Sequence, residues 1–282
     1  GTSRRYDYHA DCRCDVSHTV LTACCAKNAG KIKTLMKTDR HHLIDTLRGF
    51  ALINMFVYHT LWSMANIFHY KISWFPSFYT YLWQQSGASL FIILSGFCWA
   101  LSKKHLKRSL VVLSCAFFIF ICTYFFSKSS VITFGILSFI GSAMLIMLPL
   151  AKILRFIPPV AGFIISIGLF FATKNIIHGT IGIGSWQYTL LPEFYANNFT
   201  AYIGLPPQGF HSADYFPLLP WIFMYTAGYF IYYCVQKPIS KNNIFKFNCK
   251  PLSLLGRHSL AAYLIHQPVI IALLWICFKV IG

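Results

Sequence analysis

Seven stretches of this chain, at about residues 44–67, 82–102, 107–127, 131–152, 157–174, 215–236 and 258–281, are apolar over lengths that cross roughly 30 Å of hydrocarbon. No water inside a bilayer satisfies exposed amides, so each run must close its own hydrogen bonds as a helix. The expectation is an all-α fold, a polytopic integral membrane helical bundle of about seven transmembrane helices. Composition agrees, with 56% hydrophobic residues, 11% charged residues and a mean hydropathy of +0.57, far from a soluble domain. No internal repeat or low-complexity linker divides the spans. Residues 41–282 read as one transmembrane domain, with a connection at about 175–214 facing away from the cytoplasm.

The net charge of +17 raises nucleic acid as a partner, but its distribution points to the lipid bilayer instead. With the N-terminus inside, all of the 24 Lys and Arg except Lys71, Lys128, Lys174 and Lys279 fall on the cytoplasmic side. That asymmetry predicts N-in, C-out topology. The localisation that follows is an integral membrane protein, in the cytoplasmic membrane if the source is bacterial.

Residues 1–40 differ from the rest. They mix charges without periodicity and hold Cys12, Cys14, Cys24 and Cys25. Leu21-Thr-Ala-Cys24 has the look of a lipoprotein cleavage box, yet no apolar run precedes it. We read this segment as a disordered or foreign N-terminal extension, with a natural start near Met36. The cysteine spacing is not that of a metal site, and no metal is expected. Cys98, Cys115, Cys122, Cys234, Cys249 and Cys277 fall in or beside helices and read as small buried hydrophobes.

Ionisable groups inside spans are the candidate chemistry. Asp45, Arg48 and His59 share the first span. The eleven steps from Arg48 to His59 make about three helical turns and rise roughly 16 Å, so both point the same way, with Asp45 one turn earlier. The second span carries Ser95-Gly96 about 12 Å from Lys103. The last begins Gly256-Arg257-His258-Ser259 and carries His266-Gln267 roughly 13 Å deeper than Arg257. His59, Ser95-Gly96 and His266 are thus expected at similar depth, as a reaction chamber or as hydrogen-bonded packing residues. The 175–214 connection supplies Glu193, His178, His211 and Asp214 among Trp186, Tyr188, Tyr195 and Tyr202. Rings and carboxylates of that kind suit a sugar-like acceptor, although Asp214 also stands where it would cap the sixth helix. Asn198-Phe-Thr200 matches a glycosylation sequon.

Asp45-x-x-Arg48-Gly with ten residues between Arg48 and His59 resembles the first-helix signature of the acyltransferase-3 superfamily. Phe91-x-x-Leu94-Ser95-Gly96-Phe97 resembles its second-helix signature, and Tyr263-Leu-Ile-His266-Gln-Pro its final one. Ile44-Asp45-Thr-Leu-Arg48-Gly, Phe134-Gly-Ile-Leu137 and Ser212-Ala-Asp214-Tyr-Phe-Pro-Leu-Leu-Pro220-Trp are similar to the heparan-alpha-glucosaminide N-acetyltransferase catalytic domain family. The resemblance runs from Arg40 nearly to the C-terminus. It implies a membrane acyltransferase that takes an acyl group, commonly acetyl, from cytosolic acetyl-CoA to an acceptor across the membrane. It implies catalytic or donor-binding roles for Arg48 and His59. Members that modify heparan carry His-x-Ser-Trp after the first helix and an aspartate entering the second. Here Lys71-Ile-Ser73-Trp74, with His69 two residues earlier, and Gln84-Gln85 stand in their place.

The resulting expectation is an acetyl-CoA-dependent O- or N-acetyltransferase acting on a sugar-like or cell-envelope acceptor. Arg48, Lys103, Lys104, Lys107, Arg108, Ser95 and Arg257 would bind the donor, and Asp45 would orient Arg48. His59, Arg48, Asp45 and His266 would carry catalysis, with His59 as a general base or an acyl carrier. His69, Glu193, His211, Asp214 and Asn66 would hold the acceptor. A transporter or channel using the intramembrane Arg and His for proton or anion passage is the alternative class, and a catalytically silent structural protein a third. The sequence leaves oligomeric state open.

Overall fold

A computed structural model of the chain describes residues 42–126, 131–239, 247 and 249–281. The expected extension over 1–40, its cysteines, and Lys128 lie outside the described residues. The described residues from His42 onward form one compact unit.

Seven long helices occupy the seven apolar runs: α1 (His42–Asn66), α2 (Phe78–Leu101), α3 (His105–Phe126), α4 (Ile136–Leu154), α5 (Pro159–Thr173), α7 (Leu218–Ile239) and α9 (Ser259–Ile281). Two short helices, α6 (Asn198–Ile203) and α8 (Lys250–Arg257), two 3₁₀ turns, Ile176–His178 and Pro192–Tyr195, and one antiparallel hairpin, β1 (Thr180–Ile183) with β2 (Trp186–Thr189), complete the described fold. The protein is therefore a polytopic, all-α membrane protein apart from that hairpin. Five segments, His105–Phe126, Ile136–Leu154, Pro159–His178, Leu218–Gln236 and Ser259–Val280, are long and apolar enough to cross a membrane. α1 and α2 are long enough but more polar.

Local chemistry explains where the observed elements depart from the apolar runs. α2 begins four residues early because the Ser77 hydroxyl accepts from the Thr80 N–H while Thr80 bonds back to the Ser77 N–H, a reciprocal cap. α7 starts later than expected, and Leu219 inside its first turn keeps extended angles (φ −96°, ψ 133°). Leu219 precedes Pro220, whose ring pushes its neighbour out of the helical region. The hairpin turns at Gly184-Ser185, with Gly184 at φ 61°, a left-handed position that glycine takes without strain. α8 was not expected at all; Pro251 opens it, where its missing N–H costs nothing.

The core lies among α2, α4, α5 and α7, where Ile92, Phe139, Met147, Phe170, Trp221, Tyr225 and Phe230 interlock. α2 and α7 approach until backbone meets backbone. A Cβ on Gly96 would stand 2.0 Å from the Tyr225 carbonyl oxygen, and one on Gly228 would stand 2.1 Å from that of Ile93. α8 seats on α1 the same way, through Gly49 against Leu252 and Gly256 against Asp45.

Non-helical backbone enters the bundle at one place. The Ser109 hydroxyl of α3 donates to the Gly141 carbonyl at 2.7 Å, and Ile132 N–H reaches back to the Thr123 hydroxyl at 3.2 Å. From these pairings α4 begins roughly 15 Å short of the far end of α3. The entering segment, 131–135, bonds to a second non-helical segment, 212–216. Ala213 N–H donates to the Val131 carbonyl at 3.1 Å and Phe216 N–H to that of Phe134 at 3.0 Å. Ser212 Oγ accepts from Thr133 N–H at 3.0 Å and donates to the Thr133 carbonyl at 2.7 Å. Irregular backbone at such a position needs partners within the protein, and each segment supplies them for the other.

The close approach gives a direct test. Gly96→Ala should lower stability by about 1–3 kcal/mol, because its methyl group has no room. Gly168→Ala on α5, where a Cβ would meet nothing within 4 Å, should leave stability equal or higher. Thermal unfolding of both variants in detergent measures the contrast, and equal melting temperatures would contradict it.

Candidate active site

A cavity of about 480 Å³ opens between α1, α2, α3, α4, α7 and α9. Cations gather on one side of it: Arg48 from α1, Lys104 before α3, and Lys107 and Arg108 in the first turn of α3. Ser102 and Trp99 adjoin them, and the His105 ring stacks on Trp99 with centroids 4.2 Å apart. Beyond the cations the walls are Phe91, Ser95, Cys98, Val111, Val112, Ile140, Met144 and Leu260, and Tyr225, Tyr263, Leu137 and Ser259 complete the lining. No Asp or Glu is among the lining residues.

Arg48 is held beside Asp45, as its spacing suggested. The buried Asp45 carboxylate lies 4.0 Å from Arg48 Nη1 and 3.6 Å from Arg257 Nε. The glycine-mediated seat of α8 on α1 brings Arg257 there. Asp45 thus lies between two guanidinium groups, and Arg257 faces Asp45 rather than lining the cavity. Lys103 is exposed and also lies outside the lining.

The inner wall is organised by Asp214. Its Oδ2 accepts from the N–H of Ile136, the first residue of α4, at 3.1 Å and from the Tyr263 hydroxyl at 3.3 Å. Asp214 therefore caps α4, not the helix that follows it in sequence. Gly135 makes this possible, since a Cβ there would stand 2.9 Å from the same oxygen. A carboxylate at a helix N-terminus also meets the positive end of the helix dipole.

Behind Tyr263 lie the two histidines. The His266 ring is 5.2 Å from that of Tyr263, 5.0 Å from that of His59, and stacked on Phe56 at 5.6 Å. His266 Nδ1 bonds the Tyr263 carbonyl. A carbonyl only accepts, so Nδ1 carries the hydrogen and Nε2 is the lone-pair nitrogen of the neutral ring. Gln267 donates to Ser63 Oγ at 3.1 Å and ties α9 to α1 at this level. Neither histidine lines the cavity. Ser95, expected beside them, lies in the cavity wall and bonds the Phe91 carbonyl of its own helix at 2.9 Å.

The expected acceptor residues separate. Asp214 is internal, whereas Asn66, His69, Glu193 and His211 are exposed and outside the cavity lining. Asn66 Nδ2 donates to the Trp62 carbonyl one turn back, and Glu193 sits in a 3₁₀ turn, Pro192–Tyr195. The lining residues that the sequence did not mark as site residues include two tyrosines. Tyr263 was noted only as part of a motif, and Tyr225 had no signal beyond its place in an apolar run. Among the described residues no cluster of His, Cys, Asp or Glu has the arrangement of a metal site.

Fold and site together define a polytopic helical membrane protein with a cation-lined cavity and an imidazole pair beyond it. The chain belongs to the family described as heparan-alpha-glucosaminide N-acetyltransferase, catalytic, whose model matches residues 40–268. That makes it a member of a membrane acetyltransferase family. Neither curated proteins nor solved structures yielded a match.

Asp214→Leu should lower stability by about 2–4 kcal/mol, because it strands the Ile136 N–H and the Tyr263 hydroxyl together. Asp214→Asn keeps an acceptor oxygen and should cost less than about 1 kcal/mol. Detergent melts of the two variants decide this; equal loss in both would remove the capping role.

Proposed function

We propose that this protein transfers an acyl group, acetyl by default, from cytosolic acyl-CoA to a hydroxyl or amine of a sugar-like or cell-envelope acceptor on the other side of the membrane. One observation carries the reading: Arg48, Lys104, Lys107 and Arg108 share a cavity with Tyr263, which stands against the His266 ring, and that ring in turn lies 5.0 Å from the ring of His59. Four cations around one opening suit the phosphates of a nucleotide. The apolar walls suit a pantetheine arm, and the thioester then arrives at the Tyr263 end.

In this scheme all seven long helices span the bilayer, with the N-terminus inside and the cationic opening on the cytoplasmic face. Asp45 orients Arg48, which holds donor charge, while Lys103 and Arg257 add to the field at the opening. His59 removes the acceptor's proton as a general base, or carries the acetyl group between donor and acceptor. His266, fixed by its Nδ1 hydrogen bond, presents Nε2 toward that exchange. The acceptor approaches from the side of the 175–214 connection, where Asn66, His69, Glu193 and His211 are exposed to meet it. A heparan-type glucosamine acceptor is not assigned, because Lys71-Ile-Ser73-Trp74 and Gln84-Gln85 replace the residues such members carry.

Purified His59→Ala and Arg48→Ala variants should lose acetyl transfer while remaining folded, and His59→Ala should still bind acetyl-CoA saturably. Turnover by both variants at the wild-type rate would remove the core of this reading. Absence of saturable acetyl-CoA binding to the wild type would turn attention to proton or anion passage through the same residues.

A further inference from the structure

The cavity wall contains a polar atom that the fold leaves without a partner. Tyr225 has 0% exposed surface, lines the cavity close to Arg48 and Cys98, and its hydroxyl meets no hydrogen-bond partner among the described residues. Buried hydroxyls are almost always paired, and an unpaired one is costly. The buried Ser102 Oγ, on the cationic side of the same wall, is also without a partner there. Two such atoms in the lining of one cavity mark positions where a ligand supplies the missing hydrogen bond.

Tyr225 has little freedom to turn away. Gly96 brings the α2 backbone against the Tyr225 carbonyl, and the Phe139 ring meets the tyrosine ring edge-on at 6.4 Å. Val112, Ile140, Met144 and Leu260 in the same lining carry no donor, so besides Arg48, Ser95, Ser259 and Tyr263 the Tyr225 hydroxyl is a donor this part of the lining offers. An amide carbonyl entering this stretch loses its water and needs a donor from the protein. Cations hold the phosphate end, and Tyr263 with the histidines marks the reacting end. The stretch between them belongs to the arm.

We propose, resting on the acyl-CoA reading above, that the Tyr225 hydroxyl donates a hydrogen bond to an amide carbonyl oxygen of the donor's pantetheine arm. Tyr225 is then a binding residue that selects donors with a peptide-like arm, and it takes no part in bond breaking. The same atom makes the empty site less stable than it need be, a common feature of binding sites.

The test compares full-length wild type and Tyr225→Phe in detergent, using acetyl-CoA, free CoA and the arm-free nucleotide 3′-phosphoadenosine 5′-diphosphate as titrants. The variant should bind acetyl-CoA and CoA about tenfold more weakly, bind the arm-free nucleotide as wild type does, and keep its turnover at saturating donor. Its ligand-free melting temperature should rise by about 2–4 °C, because an unpaired buried hydroxyl has been removed. Unchanged acetyl-CoA affinity in the variant, with the wild type binding normally, overturns the proposal alone. Equal weakening for the arm-free nucleotide also overturns it, as does lost turnover at unchanged affinity, which would move the hydroxyl to the reacting carbonyl. A wild type that binds no acetyl-CoA overturns both this proposal and the reading beneath it.

Discussion

The close approach of α2 and α7 is the constraint on which the site depends. Inside a bilayer, burying apolar surface against another helix gains little over burying it against lipid, so association rests on tight van der Waals contact and on hydrogen bonds. Gly96 and Gly228 supply that contact reciprocally, each admitting a carbonyl of the other helix. With the two backbones locked, the side chains on either flank have fixed positions. Ser95, Cys98 and Trp99 then line the cavity together with Tyr225. The same device on α1 and α8 fixes Asp45 between Arg48 and Arg257. Small residues determine where the large and charged ones stand.

A second constraint follows from letting irregular backbone into the bundle. Segments 131–135 and 212–216 carry amides that no regular helix satisfies. They are pinned by each other's carbonyls, by Ser212 and by Asp214. Phe134 sits at φ 57°, an unusual conformation for a bulky residue, and its carbonyl takes the Phe216 N–H from there. This arrangement starts α4 next to the middle of α3 and brings Leu137 of its first turn to the cavity. The fragments Phe134-Gly-Ile-Leu137 and Ser212-Ala-Asp214, far apart in sequence, are two halves of one internal structure.

This separation explains what the sequence could and could not reveal. Hydropathy located the seven long helices, since a long apolar run has few other ways to fold. It could not register α8, eight residues long and polar on one side, or the hairpin, whose Gly184-Ser185 turn between Ile183 and Trp186 was a readable but unused signal. Helical spacing placed Asp45 beside Arg48, and the first and last spans did bring His59 and His266 together. Counting residues from the membrane surface assumed that neighbouring helices start level. The offset between α3 and α4 breaks that assumption, which is why Asp214, read as a residue of the outer connection, turned out to be internal. Tyr225 was illegible for another reason: nothing in an apolar run distinguishes a phenol facing a cavity from one facing lipid.

The distribution of acids completes the electrostatic logic. The chain has only 7 Asp and Glu, and the two drawn into the interior of the described fold are both engaged. Asp45 is set against two arginines; Asp214 takes an amide and a phenol. Neither lines the cavity, so the positive charge of Arg48, Lys104, Lys107 and Arg108 acts on a ligand without an opposing carboxylate in the wall. Their field falls off with distance toward the neutral phenols farther along the lining. On the acyl-donor reading proposed above, an anionic head is drawn to the cationic side, while an uncharged, acyl-bearing end passes Tyr225 and Tyr263 without an electrostatic penalty. On that same reading, the charge asymmetry of the cavity also sets which end of an elongated donor enters first.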